Sequence, residues 1–262
     1  MDYAIVTQNI RRQLKDYITK WNLKSLVLGV SGGIDSALCA ALAAPVCKEL
    51  GIPLIGVSLP CSTNKQDEID RADEVLCAFC TERQIVPIDC FVSTFKIGLD
   101  LNSSSLTTAE KIRVGNIKAR VRMIYLYNEA HRTNGCVLST DNRSELFLSF
   151  WTTHGDVGDL GMIQQLWKTE CYELAQYLVD TESASLTSCI NANPTDGLGI
   201  TNSDLDQLGA KSYAEVDAVL QSYLSGSTEY IDHPVVKRHL ATLWKVELPY
   251  NFTRDSILKG AQ

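Results

Sequence analysis

Apolar residues in this 262-residue chain fall into short unbroken runs separated by stretches with helical spacing. SLVLGV (25–30) is the first run, and from about Ser36 to Leu50 the apolar positions repeat at helical intervals until Gly51 closes them. IPLIGVSLP (52–60), IVPIDC (85–90) and CVLSTD (136–141) read as further strands. KQDEIDRADEVLCAFCTER (65–83) and GNIKARVRMIYLYNEAHR (115–132) read as helices between them, with Asn134-Gly135 turning the chain into the last strand. Strands that are apolar throughout, alternating with helices, predict an α/β fold: an open parallel sheet with helices on both faces. Its crossovers should be right-handed, and its ligands should bind at the C-terminal strand ends. The N-terminal MDYAIVTQNIRRQLKDYI has the pattern of an amphipathic helix. Past residue 150 the pattern loosens. WTTHGDVGDLGMIQQL reads as a loop with a short strand, WKTECYELAQYLV as a helix, and YAEVDAVLQSYL and PVVKRHLATLWKV as two more. Between them, 190–209 is rich in Asn, Asp, Gly and Pro, a long loop able to fold over a ligand. No repeat or linker divides the chain, which predicts one domain over 1–262.

Composition narrows the partners. Lys and Arg number 24 against 31 Asp and Glu, a net charge of −7, so the basic excess of a nucleic-acid binder is missing. No run approaches the roughly 18 apolar residues of a membrane span. The N-terminus carries acids and does not resemble a signal peptide. The 9 cysteines are odd in number and lie mostly in apolar stretches, which predicts reduced thiols in a cytoplasmic protein. Cys77 and Cys80 have CxxC spacing, but no second pair accompanies them and both fall near the apolar side of a helix, so they read as buried core thiols.

The chemistry concentrates at LVLGVSGGIDSALCAAL (26–42), where a strand ends and a helix begins. Unpaired N–H groups and the dipole at a helix N-terminus favour an anion there. Gly32 and Gly33 permit close approach and positive φ, and Ser31 and Ser36 add hydroxyls. Asp35 would repel a bare phosphate, so a divalent cation, most simply Mg²⁺, is expected between them. The loop lacks GxxxxGK[ST] and is not the usual kinase or GTPase loop. Elsewhere, Arg113 and Arg120 are seven residues apart and share a helix side, suited to anions or to a solvated basic face. Glu145 follows Asn142 at the spacing of a capping box, so a structural role competes with a chemical one.

SGGIDS resembles the SGGxDS signature of the ATP pyrophosphatase group, whose fold is Rossmann-like, of the adenine nucleotide alpha-hydrolase type. Three further stretches resemble NAD synthetases: VGNIKARVRMIYLY (114–127), LSTDNRSELFLSFWTTHGD (138–156) and PTDGLGITNSDLDQLGAKSYAEVD (194–217). VKRH (236–239) resembles their C-terminal basic cluster, and order and spacing hold from about 25 to 240. The match is to the ammonia-dependent form, which has no glutaminase domain. The resemblance implies amidation of deamido-NAD with ammonia at the expense of ATP, through an adenylate, with release of AMP and pyrophosphate. It implies an ATP site of Gly29, Val30, Ser31, Gly32, Gly33, Ile34, Asp35, Ser36, Thr140, Lys168 and Thr195. Asp35 and Glu145 would hold Mg²⁺, and Arg120, Asp159 and Lys237 would meet deamido-NAD. The family is commonly a homodimer.

The departures fall on the second-substrate half. Thr153 stands where many members carry a substrate-binding Lys, Leu205 where Glu is usual, Val114 where Lys is common, and Val236 in place of the His of an HK pair. His154 is a candidate replacement cation. Two alternatives share parts of the pattern: a related ligase acting on another carboxylate or on tRNA, and a nucleotide sensor without catalysis.

Overall fold

The computed structural model describes residues 1–103, 105–193, 203–246 and 250–259. In chain order the elements are α1 (Tyr3–Trp21), β1 (Leu26–Gly29), α2 (Ile34–Leu50), β2 (Leu54–Ser58), α3 (Gln66–Phe79), β3 (Glu82–Ile85), α4 (Asp89–Gly98), α5 (Thr108–Arg132) and β4 (Cys136–Ser139). There follow α6 (Arg143–Leu148), β5 (Leu160–Gly161), α7 (Lys168–Thr181), α8 (Thr187–Ile190), α9 (Asp204–Leu208), α10 (Tyr213–Leu224), α11 (Pro234–Thr242) and α12 (Arg254–Leu258).

The sheet has the order β3-β2-β1-β4-β5, and every neighbouring pair is parallel, as the apolar strands predict. Leu26 pairs with Leu54 on one side and Cys136 on the other, so β1 is central. Alternation along the strands feeds two cores. Leu26, Leu28, Leu54 and Leu138 face α1, α2, α3 and α7, while Val27, Ile55, Val57 and Val137 face α4 and α5. Leu38 and Leu42 of α2 are fully buried; truncating one such leucine to alanine costs about 2–5 kcal/mol. A third cluster joins Leu148, Leu208, Val216, Leu220, Val235 and Val236 of α6, α9, α10 and α11. The chain winds outward from β1 to β3, then returns to β4 and β5. The strand order therefore reverses between β1 and β4, where doubly wound sheets open a crevice for ligands.

Some expectations shift. The strand expected at 85–90 lies at Glu82–Ile85 and is mostly exposed. It is an edge strand carrying polar residues; beyond Ile85, Val86 N and Ile88 N still donate to the Ser58 and Pro60 carbonyls at 2.9 Å, and Pro87 between them is tolerated because an edge strand needs no N–H on its outer side. The residues that follow form the unanticipated α4. The long helix starts at Thr108, seven residues early, because Thr107 and Glu110 form a reciprocal capping box. Within the expected loop 190–209, α9 forms with Ser203 as its cap; positions 194–202, Thr195 among them, lie outside the described residues. Cys80 is buried, but Cys77 is exposed and its thiol accepts a hydrogen bond from Arg83 Nη1 at 2.8 Å. The helix turns Cys77 away from the core that Leu76 and Cys80 enter. All nine cysteines are free thiols. Among the described residues no helix is long and apolar enough to cross a membrane.

Candidate active site

Three helix N-termini meet at the crevice. The first is α2, reached through the loop after β1. Gly32 has φ +81°, and a Cβ there would lie 2.3 Å from the Glu68 carbonyl, so only glycine fits. The loop is braced internally: Ser36 Oγ donates to the Gly33 carbonyl at 3.0 Å and Gly33 N donates to Ser31 Oγ at 3.2 Å. From α3, Arg71 Nε donates to the Gly32 carbonyl at 3.1 Å. No side chain caps α2, so its first-turn N–H groups form the kind of helix terminus that receives anions. Asp35 lies in that first turn.

The second terminus is α6, just past β4. Asn142 is its fully buried N-cap. Its Oδ1 accepts from Glu145 N at 3.0 Å, and Glu145 Oε2 accepts from Asn142 N at 3.3 Å. The same Asn142 side chain donates through Nδ2 to Asp35 Oδ1 at 3.1 Å. Glu145 thus does close the capping box, and its other oxygen faces the crevice.

The third terminus is α7, whose first residue is Lys168. The Lys168 ammonium donates to Asp35 Oδ2 in a short contact and lies 3.4 Å from Glu145 Oε1. It also sits 5.1 Å from the centre of the Tyr213 ring. Its backbone is anchored from behind: Lys168 N donates to Ser144 Oγ at 2.9 Å, Ser144 Oγ donates to the buried Asp217, and Asp217 Oδ2 accepts from Thr169 N at 2.9 Å.

The carboxylates share one cation. Burial, reinforced by Asp35 and Asp141 and opposed by Lys168, pushes the Glu145 carboxyl up to about 8. Burial also lifts Asp141 to about 6, against its hydrogen bond from Ser139 Oγ at 2.6 Å. Burial alone would lower the Lys168 ammonium, but Asp35 and Glu145 outweigh it and hold the charged form above the ordinary range.

These groups line a cavity of about 700 Å³. Gly29 to Ser36, Thr140, Glu145 and Lys168 form one side, and Arg120, Trp151 to Thr153, Asp156, Arg238 and Lys245 line the other. Of the residues expected at the site, Arg120 is present and donates through Nε to the Thr153 carbonyl at 3.2 Å. Asp159 and Lys237 are not on the wall. Asp159 accepts from Val137 N at 2.9 Å and from the Tyr127 hydroxyl at 3.0 Å, which ties it to β4 and α5. Lys237 is exposed and paired with Asp232 at 3.0 Å. Arg113 and His154 are likewise exposed and off the wall. Val114 is buried, and Leu205 packs on the third core cluster. The sequence reading missed Arg122, Arg238 and Lys245. Arg122 Nε donates to the Leu59 carbonyl at 3.1 Å, Arg238 Nε to the Leu148 carbonyl at 3.0 Å, and Lys245 Nζ to the Ser149 carbonyl at 2.7 Å. Arg238 follows Lys237 directly, and a helix turns by 100° per residue, so only one of the two can face the crevice.

The NAD synthase family model matches residues 6–242. The chain belongs to the NAD synthase family. The NH(3)-dependent NAD(+) synthetase of Thermoplasma acidophilum is 34% identical over 238 residues, covering 88% of this chain and 91% of that one. Its counterpart in Thermoplasma volcanium is 33% identical over 259 residues, covering 97% and 99%. Among solved structures, the NMN synthetase of Francisella tularensis superposes with a TM-score of 0.81 at 26% identity, over 97% of this chain and 99% of that one. The fold of this NAD synthase family member is thus the α/β type of its structural neighbours, and the cavity lies at its topological switch point.

The donor set also fits a divalent cation. Two hard carboxylate oxygens, Asp35 Oδ2 and Glu145 Oε1, already share a positive charge. Among the described residues no group of three or more His, Cys, Asp or Glu side chains is arranged to hold a metal. Mg²⁺ needs no more than this, because it commonly uses one or two carboxylates with phosphate and water oxygens.

Proposed function

We propose that this chain is an ammonia-dependent NAD synthetase, amidating the nicotinate carboxylate of deamido-NAD with ATP as co-substrate. The observation that carries this reading is the meeting of Asp35, Glu145 and Lys168 at three helix N-termini, on the wall of one cavity at the sheet's switch point. In the proposed sequence a nicotinate oxygen attacks the α-phosphorus of ATP and the bond to the bridging oxygen breaks, releasing pyrophosphate. Ammonia nitrogen then attacks the acyl carbon of the adenylate, loses a proton, and AMP departs with the carboxyl oxygen.

The chain's own part is binding and orientation. The 31–36 loop and the α2 N-terminus receive the phosphates, and Lys168 adds a fixed positive charge beside them. Asp35 and Glu145 are the residues suited to hold Mg²⁺, which when bound neutralises the pyrophosphate leaving group. Arg120, with Arg122 and Arg238, supplies positive charge on the acceptor side. Burial of the Lys168 and Asn142 side chains keeps bulk water from the carboxylates. A cytoplasmic homodimer is part of the proposal: Phe91 and Phe95 of α4, Leu99 just after it, and Ile112 and Ile124 of α5 are large apolar side chains left exposed, the kind of surface a second copy covers.

Thr153 on the cavity wall, together with the likeness to the Francisella NMN synthetase, favours a second reading in which nicotinate mononucleotide is also amidated. Pyrophosphate release from ATP, Mg²⁺ and ammonium across a panel of nucleotide carboxylates tests both. Release with deamido-NAD is expected. Release with the mononucleotide alone would move the substrate, and release with neither would overturn the proposed function.

A further inference from the structure

The two carboxylates expected to hold the metal already hold a cation that belongs to the chain. Asp35 and Glu145 each present two oxygens, and the structure assigns all four. Asp35 Oδ1 accepts from Asn142 Nδ2 at 3.1 Å, and Glu145 Oε2 accepts from Asn142 N at 3.3 Å. That leaves Asp35 Oδ2 and Glu145 Oε1 to face the crevice, and Lys168 Nζ contacts both. Asn142, through its side chain and its backbone, therefore fixes which oxygens are offered.

We propose that in the nucleotide-free protein the Lys168 ammonium occupies the cation position between Asp35 and Glu145, so that a divalent metal enters only together with a triphosphate that takes the ammonium over. The inference rests on the proposed metal role of Asp35 and Glu145. A dication and an ammonium cannot share the same two oxygens without strong repulsion. The ammonium cannot simply withdraw to water either, because the Lys168 side chain is only 4% exposed. Its backbone is fixed by Ser144 and Asp217, and its head lies over the Tyr213 ring. A buried ammonium stripped of its carboxylates is strongly destabilising unless another anion replaces them. Phosphate oxygens delivered to the adjoining 31–36 loop are that anion, and they also supply the ligands that two carboxylates leave missing. Metal and nucleotide binding are then coupled through one exchange: the carboxylates pass from ammonium to metal as the ammonium passes from carboxylate to phosphate.

Binding of Mn²⁺ to the full chain, read at pH 8 from the electron paramagnetic resonance signal of the free ion, tests this without any turnover. Each protein is titrated with Mn²⁺ alone and with Mn²⁺ plus the non-hydrolysable α,β-methylene analogue of ATP. In the wild type, the analogue should tighten Mn²⁺ binding at least tenfold. Lys168→Met keeps an unbranched side chain one atom shorter and removes its charge. It should tighten Mn²⁺ binding at least tenfold in the absence of nucleotide and shrink the effect of the analogue. Lys168→Arg retains a cation and should bind nucleotide-free Mn²⁺ no better than wild type, which keeps the test open should Lys168→Met fail to give the wild-type circular dichroism spectrum. Lys168→Met binding no tighter than wild type, or Lys168→Arg binding tenfold tighter, overturns the exchange. Mn²⁺ binding that Asp35→Asn leaves unchanged, with and without the analogue, overturns the metal role itself and with it the proposed mechanism.

Discussion

Replacing Glu145 with Gln separates the two roles its position allows. Glu145 closes the α6 capping box and also faces Lys168 with its second oxygen. One ammonium serves three carboxylates here, and burial pushes the Glu145 carboxyl up from the ordinary 4.5 to about 8. An acid whose value is raised by folding contributes stability that is complete below its unfolded value and is lost as pH rises through the folded one. For Glu145 that window runs from about 4.5 to about 8. The metal-free native state therefore takes up a proton at Glu145 at higher pH than the unfolded chain does, and does so in competition with the Lys168 ammonium. By pH 7 the gap spans roughly two and a half pH units at about 1.4 kcal/mol each, or about 3 kcal/mol against folding. Glutamine keeps an oxygen for the Asn142 N–H and turns its amide N–H toward the Lys168 ammonium, so the pH dependence of stability, not its absolute value, is the diagnostic. Glu145→Gln cannot titrate and should therefore lose less stability than wild type as pH rises from 5 to 8.5, by up to about 3 kcal/mol, while losing most pyrophosphate release.

Urea denaturation in the presence of EDTA, at several values between pH 5 and pH 8.5, measures this directly. Wild-type stability should fall across the range, and the variant should fall less. Asp141, lifted to about 6 by burial, leaves a residual slope in both proteins below that pH. If Glu145 serves only as a cap, the glutamine oxygen still closes the box, and the variant should parallel the wild type at every pH with turnover intact. That result would refute the reasoning, since the geometry of the box alone would then explain the residue.

Asp35→Asn should fold, because the side chain is only partly buried and retains its Asn142 contact, yet lose most turnover in a pyrophosphate assay; wild-type rates would remove Asp35 from the chemistry. Free ammonium should support activity while glutamine alone does not, and at fixed total ammonium the rate should rise with pH as NH₃ accumulates, until the enzyme itself fails. Thr153 lines the acceptor wall with its carbonyl held by Arg120. Thr153→Lys adds a charge-assisted hydrogen bond of about 1.5–3 kcal/mol, so the dissociation constant for deamido-NAD, measured calorimetrically, should fall roughly ten- to a hundredfold with ATP dependence little changed.

Much of the fold is legible because β1, β2 and β4 are buried on both faces and write their position as unbroken apolar runs. β3 escapes that rule. As an edge strand of Glu82, Arg83, Gln84 and Ile85 it carries little apolar signal, while the more apolar IVPIDC only trails it, with Val86 N and Ile88 N bonded to the Ser58 and Pro60 carbonyls where β2 ends. The loop at 29–36 is legible for the opposite reason: glycine at a positive φ and an acid in the first helical turn leave a local mark. Thr140, Glu145 and Lys168 reach the same cavity, but their convergence depends on a strand order that no local pattern encodes. Arg238 and Lys245 are harder still. They line the cavity by holding backbone carbonyls of residues about ninety positions earlier in the chain, a contact fixed only when α11 packs on α6.

Lys168 carries a further signal that becomes readable once helix boundaries are known. It is the first residue of α7, where the macrodipole disfavours a cation by about 0.3–1 kcal/mol, and it is buried there, which disfavours the charge again. Nothing local stabilises a lysine at that place. Asp35 and Glu145, by contrast, sit at helix N-termini where a carboxylate is favoured. Pointing three such N-termini at one cavity builds an environment that attracts anions, and the chain answers it in the free state with its own two carboxylates and one misplaced lysine. Arg143 and Arg254 also open helices with a cation, but neither is fully buried; among the described residues Lys168 combines that position with full burial, and it bridges both acids. In a sequence otherwise consistent with its fold, that is where a binding role, rather than packing, accounts for the residue. The same consideration separates Lys168 from Lys237, whose exposed pairing with Asp232 conflicts with no local preference and gives no sign of a ligand.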